Sequence, residues 1–497
     1  MNNIKNKLVA LIAGLMLIQP LWAQQDDSSQ ILTLNDIIQI SRAQSIAAKR
    51  AETNRENRYW QYQTFRSNYK PQLGLDGVFP AFTRAFDQVR QPDGTYEFLP
   101  VSINNSQLNL RLSQSISSTG TTLFLNTGVN RFDNFVEDDT YHLYSGTPVE
   151  VGFIQPLFQF NSLRWDKKIE PLRYEESKRE FMQDLEEISV FATRRFFSLM
   201  LAQISKEIAD KNLANNDTIY QIAQGRYNLG KIAENELLQL KLTQMNSRQA
   251  VSQAKLDLET SMLRLKTFTG LSGSKKIQLI LPDVLPIFDV DEQKAFEEAL
   301  NNRSDVVQYE RRKNEAEMGI ARAKGDTGPN ANLFGRFGLT NRTDQNAPIS
   351  DLYKNPENQL IVNLGFQIPI LDWGRRRSRV KTAEANAKLV EFTVNQDELN
   401  FREEILTQVR QFEMLKEAVK ITNLANDIGQ KRYHVAKNRY LIGKTSITDL
   451  NIALQEKDTA TAKYIQALND FWTAYFNLRM LTLYDFQTNT KIFADEL

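Results

Sequence analysis

Among the longest stretches of this chain that contain neither glycine nor proline are residues 172–224, 231–269, 375–428 and 444–497. They run about 40 to 54 residues each, in a chain of 497 that carries 21 Gly and 14 Pro. No other feature narrows the fold so far. The stretches are rich in Glu, Lys, Gln, Ala and Leu, the composition of long helices. Leu185, Ile188, Ala192, Phe196 and Leu199 recur at three- and four-residue steps, as do Phe412, Leu415 and Val419. Both stripes suit helices packed side by side. At 1.5 Å per residue, helices of about 50 to 65 residues extend roughly 75–100 Å, beyond an ordinary globular core.

Between these rods the patterning changes to period two. Over residues 362–370, Val362, Leu364, Phe366, Ile368 and Ile370 face one way, and Asn363, Gly365, Gln367 and Pro369 the other. Leu108, Leu110 and Leu112 alternate with Asn109, Arg111 and Ser113; Leu123, Leu125 and Val129 alternate with Asn126, Gly128 and Asn130. Leu333, Phe337 and Leu339 share a face. Strands of about 9–11 residues with one apolar and one small or polar face mark a transmembrane barrel. A soluble sheet with one wet face gives the same alternation. The N-terminus and the aromatic strand ends favour the barrel.

At the N-terminus, Lys5 and Lys7 precede an apolar core over 8–18, and Leu21-Trp22-Ala23 stands before Gln24. This reads as a cleavable secretory signal over 1–23. No later stretch holds 18 uninterrupted apolar residues, so a membrane span of the exported chain has to be a barrel. The aromatic ends are Phe158, Phe160 and Trp165, then Trp373. Cations lie beside each: Arg164, Lys167 and Lys168, then Arg375, Arg376, Arg377 and Arg379. Cations at a helix start oppose its dipole. Outer-membrane lipid headgroups at the barrel rim would give Trp165, Trp373, Arg375 and Arg376 a partner; a solvated basic helix end fits equally.

The chain is also a tandem duplication. Val151-Gly152-Phe153-Ile154-Gln155-Pro156-Leu157-Phe158 aligns with Leu364-Gly365-Phe366-Gln367-Ile368-Pro369-Ile370-Leu371, and Arg226-Tyr227-Asn228-Leu229-Gly230-Lys231 with Arg439-Tyr440-Leu441-Ile442-Gly443-Lys444. Both pairs are offset by 213 (365 − 152 and 439 − 226). Pro71, Leu75 and Gly77 match Pro329, Leu333 and Gly335 at an offset of 258. Each unit reads as helix, strands, long helix, tight turn, long helix. The boundaries are a signal at 1–23, a first repeat over 24–270, a connection over 271–302 and a second repeat over 303–497.

The first half carries about 45 extra residues, the difference between the two offsets. They read as one more hairpin, with a tight turn at Ser117-Ser118-Thr119-Gly120 between 108–116 and 121–132. The neighbouring segments 87–100 and 133–148 are polar and read as long outer loops. The first half then supplies about four strands and the second two. Six strands are too few for a transmembrane barrel, which needs about eight, so the barrel is shared between protomers.

At this point the chain resembles the TolC family of outer-membrane efflux channels over nearly its whole length. The resemblance rests on Leu32-Thr33-Leu34-Asn35-Asp36-Ile37-Ile38, on Asn302-Arg303-Ser304-Asp305-Val306 through Gly319-Ile320-Ala321 to Pro329, on Ile368-Pro369-Ile370-Leu371-Asp372-Trp373-Gly374-Arg375, and on Tyr440-Leu441-Ile442-Gly443-Lys444 with Thr448-Asp449-Leu450. It implies an α+β membrane protein: a homotrimer with one shared transmembrane β-barrel, continued by a long periplasmic α-helical barrel built from two tandem repeats. It implies an outer-membrane location extending into the periplasm of a Gram-negative bacterium.

Gly230 and Gly443 read from the residues alone as helix C-caps. The resemblance implies that these turns are periplasmic tips meeting a membrane-fusion adaptor, through Leu229, Gly230, Lys231, Ile442, Gly443 and Lys444. It also implies a gate, with Tyr440 as the gate tyrosine, Glu236 its acidic partner and Asp449 in an acidic ring. Repulsion around a threefold axis would raise the Asp449 pKa. The chain departs from the family pattern at Thr445, where an arginine is expected, and at Ile452, where a second acid can stand. Each gate residue also reads as a solvated helix side chain.

Composition excludes several functions. The chain has 61 Lys+Arg against 60 Asp+Glu, no Cys and two His. Near-neutral charge speaks against nucleic acid. The absence of Cys removes thiolate chemistry and Cys-ligated metals, and isolated His142 and His434 make a poor metal site. His142 is expected in a loop and His434 in a long helix near the tip. No phosphate-binding G-x-x-x-x-G-K-[ST] run is present. The reading is a channel, not an enzyme, with no cofactor, served by an inner-membrane pump and an adaptor. The alternative is a non-conducting periplasmic coiled-coil scaffold or adaptor.

Overall fold

The computed structural model describes residues 30–492 except 137–138, 274–275, 283–284 and 287. The expected signal segment, 1–23, lies outside these residues. The described chain opens with β1 (Gln30–Leu32), α1 (Leu34–Gln44) and α2 (Ile46–Ser67). Five strands follow: β2 (Gln72–Val78), β3 (Phe82–Arg90), β4 (Tyr96–Ile116), β5 (Thr121–Val136) and β6 (Asp139–Leu157). A hairpin of α3 (Ser162–Asn228) and α4 (Glu234–Thr269) comes next, then β7 (Ile277–Leu279). The second unit is α5 (Glu292–Asn302), α6 (Ser304–Thr327), β8 (Asn330–Arg342), β9 (Glu357–Gln367), α7 (Arg375–Leu441) and α8 (Ile447–Thr482). The short strands β10 (Tyr484–Asp485) and β11 (Thr490–Lys491) close it.

The duplication is visible to the residue. Every boundary of α7 and α8 stands 213 positions after the matching boundary of α3 and α4. The long helices have 67 residues each and their partners 36 each. At an offset of 258, α5 matches α1. The sequence reading treats 271–302 as a connection; its last third is helix α5, so the second unit opens before residue 303. The Gly/Pro-free windows understate the long helices, because α3 takes in Pro171 and Gly225, and α7 takes in Gly429. At Gly429 a Cβ would sit 3.4 Å from the Ala460 Cβ, so the glycine lets α7 lie close on α8. The window 444–497 overshoots instead: α8 stops at Thr482, and Leu483 takes a left-handed φ of 47°.

The strands form one antiparallel meander, β2-β4-β5-β6-β8-β9. β2 pairs with residues 107–113 of β4 and β3 with residues 96–104 of the same strand, so β2 and β3 are two lengths of one edge. Six strand positions result, four from the first half and two from the second. Of the loops expected at 87–100 and 133–148, residues 87–90, 96–100, 133–136 and 139–148 are instead strand, continuing β3, β4, β5 and β6; His142 accordingly lies in β6. Strands of 21 residues in β4 and 19 in β6 run well beyond a bilayer's need. Outside the membrane neither face has to be apolar, so the alternation that marks the spanning part fades there. One signal was readable: Gln91-Pro92-Asp93-Gly94-Thr95 is a tight-turn sequence. Gly94 takes φ 88°, its N–H donates to Gln91 O at 2.9 Å, and Thr95 N–H donates to Asp93 Oδ1 at 2.9 Å.

Register puts one large apolar residue from each position into a single row: Leu73 opposite Leu112, then Leu125, Val151, Phe337 and Leu360. All six are exposed in the protomer. The opposite face is polar. Arg111 Nε donates to Asn126 Oδ1 at 3.0 Å, Asn126 Nδ2 to Glu150 Oε1 at 3.1 Å, and Arg336 Nη1 to Glu150 Oε2 at 3.0 Å. Among the described residues no helix is long and apolar enough to cross a membrane. The exposed row on the sheet is therefore the surface suited to lipid.

The main core lies midway along the long helices, where α1, α5 and the short strands wrap them. Ile188, Ala192, Phe196 and Leu199 of the first stripe are buried, Leu185 is half-buried, and Phe412, Leu415 and Val419 of the second are buried. Of these, Ala192, Phe196, Leu199, Phe412, Leu415 and Val419 join Ile37, Leu265, Ala295, Leu468 and Phe471. Glu186, 1% exposed, ties three elements there. Arg42 of α1 donates to its Oε1 at 2.6 Å, and Arg479 of α8 donates to its Oε2 at 3.1 Å and also bonds Asp485 at 2.9 Å. Nearer the sheet the short helices flank the long ones. Tyr62 of α2 stacks on Tyr174 of α3 at 4.6 Å, and Arg312 of α6 reaches Asp397 of α7 at 2.7 Å.

Two outcomes follow from this packing. Glu186→Ala takes the ion-pair partner from partly buried Arg42 and leaves Arg479 with Asp485 alone, so denaturant titration in detergent should record a loss of about 3 kcal/mol per protomer. Leu125→Arg should hinder folding into liposomes by about 2–4 kcal/mol, whereas Asn126→Arg, on the polar face, should fold nearly as wild type.

Candidate channel site at the helical tips

Each long hairpin turns in the same way. In the first, Gly230 N–H donates to Tyr227 O at 2.8 Å and Lys231 N–H to Arg226 O at 2.9 Å. In the second, Gly443 N–H donates to Tyr440 O at 2.9 Å and Lys444 N–H to Arg439 O at 2.9 Å. This paired 5→2 and 6→1 bonding is the Schellman motif, which needs a left-handed residue after the helix. Gly230 and Gly443 supply it at φ 68° and 72°. A Cβ on either would meet nothing within 4 Å, so backbone conformation and not crowding calls for glycine. The turns carry Leu229 and Ile442 outward, 71% and 66% exposed, beside exposed Lys231 and Lys444.

Behind the turns, four helix ends share a small core of Ile219, Ala223, Leu240, Tyr433, Tyr440, Ile447 and Leu450. Tyr440 is 3% exposed. Burial pushes its phenol pKa up, the Glu236 carboxylate adds to the rise, and Arg226 opposes it. The structure thus brings Tyr440 and Glu236 into one electrostatic neighbourhood across two hairpins. Sequence reasoning missed the groups that join those hairpins. Arg226 Nη2 donates to Leu441 O at 3.0 Å, Lys437 Nζ to Asn215 Oδ1 at 2.8 Å, and Asn212 Nδ2 to Asp458 Oδ2 at 2.7 Å. Only the fold reveals that these distant positions meet.

Asp449 has a local task. It is the third residue of α8, whose cap is Ser446. Ser446 Oγ donates to Asp449 Oδ2 at 2.8 Å, Thr445 Oγ1 donates to it at 3.1 Å, and Asp449 N–H returns a bond to Ser446 Oγ at 3.1 Å. Against the expected rise, the Ser446 and Thr445 hydroxyls lower this carboxyl's pKa within one protomer. Thr445, the departure from the family pattern, is thereby one of its partners. The repeat-related start of α4 lacks this feature, because Ala233 stands at the cap and makes no side-chain bond. Glu236 occupies the position equivalent to Asp449, 213 residues earlier. Ile452 is exposed.

At the opposite ends of the rods, Trp373 lies in a tight strand-to-helix turn, 90% exposed, at φ 52° before Gly374 at φ 84°. Asp372, two residues before the Gly374 cap of α7, accepts from Gly374 N–H through Oδ1 and from Arg376 N–H through Oδ2, each at 2.9 Å. This carboxylate is the local anion that the basic start of α7 at Arg375 and Arg376 requires. The sequence reading passed over it. Trp165 is half-buried in the first turn of α3, with Lys168 Nζ 5.0 Å from its ring centre.

The comparisons with known proteins agree with this architecture. The sequence signature of the outer membrane efflux protein family matches residues 104–271 and 295–482. The sequence has no match among curated proteins. Among solved structures, the Campylobacter jejuni CmeC outer membrane channel superposes with a TM-score of 0.65 at 16% identity, covering 90% of this chain and 85% of that one. The outer membrane protein VceC of Vibrio cholerae gives 0.62 at 14% identity, covering 90% and 95%. The open state of the Neisseria gonorrhoeae MtrE outer membrane channel gives 0.60 at 15%, covering 90% and 88%. These define the class as TolC-like channels with two tandem repeats. The chain belongs to the outer membrane efflux protein family; its place is the outer membrane, with the helices extending into the periplasm.

The Asp449 cap carries a pH dependence with a definite sign. Its folded pKa lies below the ordinary value of an aspartate carboxyl. The cap is therefore in full force above about pH 4 and is lost as pH falls through the lower folded value. Hydrogen-exchange protection of residues 447–450 should fall below pH 4, and Asp449→Asn should blunt that fall, while the start of α4 changes little.

Proposed function

We propose that this protein is the exit duct of a tripartite efflux or type I secretion machine. Three copies share one barrel, an inner-membrane pump and a periplasmic adaptor load the substrate, and the duct conducts it passively, with no chemical step of its own. The observation that carries this reading is continuity. One sheet, apolar on its outer face and polar on its inner face, runs into paired helices of 67 residues. Helices of that length reach roughly 100 Å, enough to extend a conduit deep into the periplasm. A non-conducting coiled-coil scaffold has no use for an apolar row across six strand positions, so the alternative reading is set aside.

Roles follow from position. Leu229, Gly230, Lys231, Ile442, Gly443 and Lys444 form the outward rim of each hairpin and are the adaptor contact. Apolar groups beside lysines suit docking of a helical hairpin with an apolar seam and acidic flanks. Tyr440 and Glu236 hold the two hairpins in the closed arrangement, and Asp449 places a carboxylate near the aperture. Trp165 and Trp373, with Arg375 and Arg376, sit at the periplasmic rim of the barrel against outer-membrane lipid headgroups.

Single-channel recording in planar bilayers tests the duct and the gate together. Wild type should give a small, cation-selective conductance, and the Glu236→Ala, Tyr440→Phe double variant a several-fold larger one. Equal conductance in both would retain the duct and discard the gate. Silence from both, in trimeric protein, would remove the duct.

A further inference from the structure

The meander has two free edges. Among the described residues β2 pairs only with β4 and β9 only with β8, at opposite ends of the strand order. Resting on the trimeric-duct reading above, we propose that β2 of one protomer pairs with β9 of the next. The first hairpin is then part of the wall, and three protomers of six strand positions close a barrel of 18 strands. The competing arrangement leaves β2, β3 and β4 outside, starts each protomer's share at β5, and closes on 12.

Two observations require and permit closure between copies, and two more favour the larger barrel. The first is backbone bonding. Both edges carry unpaired N–H and C=O groups, which lipid cannot satisfy. The second is direction. All neighbours in the meander are antiparallel, so an even number of positions leaves β2 and β9 running oppositely. Identical copies can therefore join by the same antiparallel ladder used inside each copy.

The third is the length of the β4–β5 ladder, which is unbroken from Ile103 opposite Asn134 to Ile116 opposite Thr121. A hairpin outside the wall would have to give this up. The fourth is that both faces of the sheet continue through the first hairpin. The apolar row begins at Leu73 and Leu112 before it reaches β5, and Arg111 of β4 joins the polar inner network through Asn126. A hairpin placed elsewhere would show Leu73, Leu75, Leu108 and Leu110, all exposed in the protomer, to water.

The strand number sets the mouth of the duct. With strands about 4.8 Å apart and tilted about 40°, 18 strands close on a backbone diameter of about 36 Å, against about 24 Å for 12. The larger ring lies in the size range in which barrels hold an open aqueous channel.

Engineered thiols test the joint, because the native chain has no cysteine. Leu75→Cys is combined in one chain with Leu360→Cys, Val362→Cys or Leu364→Cys, all outward-facing. Within one protomer β2 and β9 are five strand spacings apart, about 24 Å, so a thiol reagent spanning about 8 Å can link them only between copies. At least one pair should give a covalent trimer on denaturing gels, while each single variant stays monomeric. Leu125→Cys of β5 with the same three β9 positions reports the 12-strand joint. Linkage by that set and not by the β2 set overturns the proposal, as does trimeric protein in which neither set reacts. Protein that is monomeric by light scattering, in detergent and after reconstitution, removes instead the trimeric reading beneath it.

Discussion

Equal helix length is the constraint on which the rest of this molecule depends. α3 and α7 leave the same sheet, and each ends 67 residues later. Their tips therefore arrive at one level, and the small core around Tyr440 can draw on all four helix ends. A single-residue insertion in one helix would turn its face by about 100° and raise its tip by 1.5 Å. Ile219 and Ala223 of α3 would then no longer meet Leu240 and Tyr433. The 213-residue identity of spacing, kept across both helices of each hairpin, is what shared tip packing demands.

Much of this was legible before any coordinates. Helices announce themselves by what they lack, and the Gly/Pro-free windows located all four long rods. Their ends were less clear, because packing against neighbours outweighs the local cost of Pro171, Gly225 and Gly429. The spanning strands were readable because lipid on one face and water on the other impose strict alternation, as in Leu108, Leu110 and Leu112. Beyond the membrane that demand lapses, and β3 and the outer lengths of β4, β5 and β6 read as loops. The candidate site was legible only in part. Glycine at 230 and 443 marks a turn by conformation alone. The bonds from Arg226 to Leu441 and from Lys437 to Asn215 join positions more than 200 residues apart, and no local pattern announces them.

The two repeats are most informative where they differ. Asp449 is fixed by Ser446 and Thr445, whereas Glu236, at the same place in the first repeat, follows an uncapped start at Ala233. Tyr440 is buried, whereas the equivalent Tyr227 is 37% exposed. Duplication makes these pairs equal by default, so each difference is an adaptation of one hairpin to its own surroundings. The capped hairpin is held at its start by side-chain bonds. The uncapped one leaves a carboxylate free of the capping role and close enough to Tyr440 to raise its pKa.

Stability is distributed to match. The equatorial core gathers large side chains from both repeats, including Phe196, Phe197, Phe412 and Phe471, and is tied further by Glu186 between Arg42 and Arg479. The tip core has seven buried residues, and the hairpins are joined there by a few polar bonds. Local opening is cheapest where buried apolar contact is least and hydrogen bonds are most exposed. By that measure the tips are the least firmly held part of the hairpins, and the equator the most.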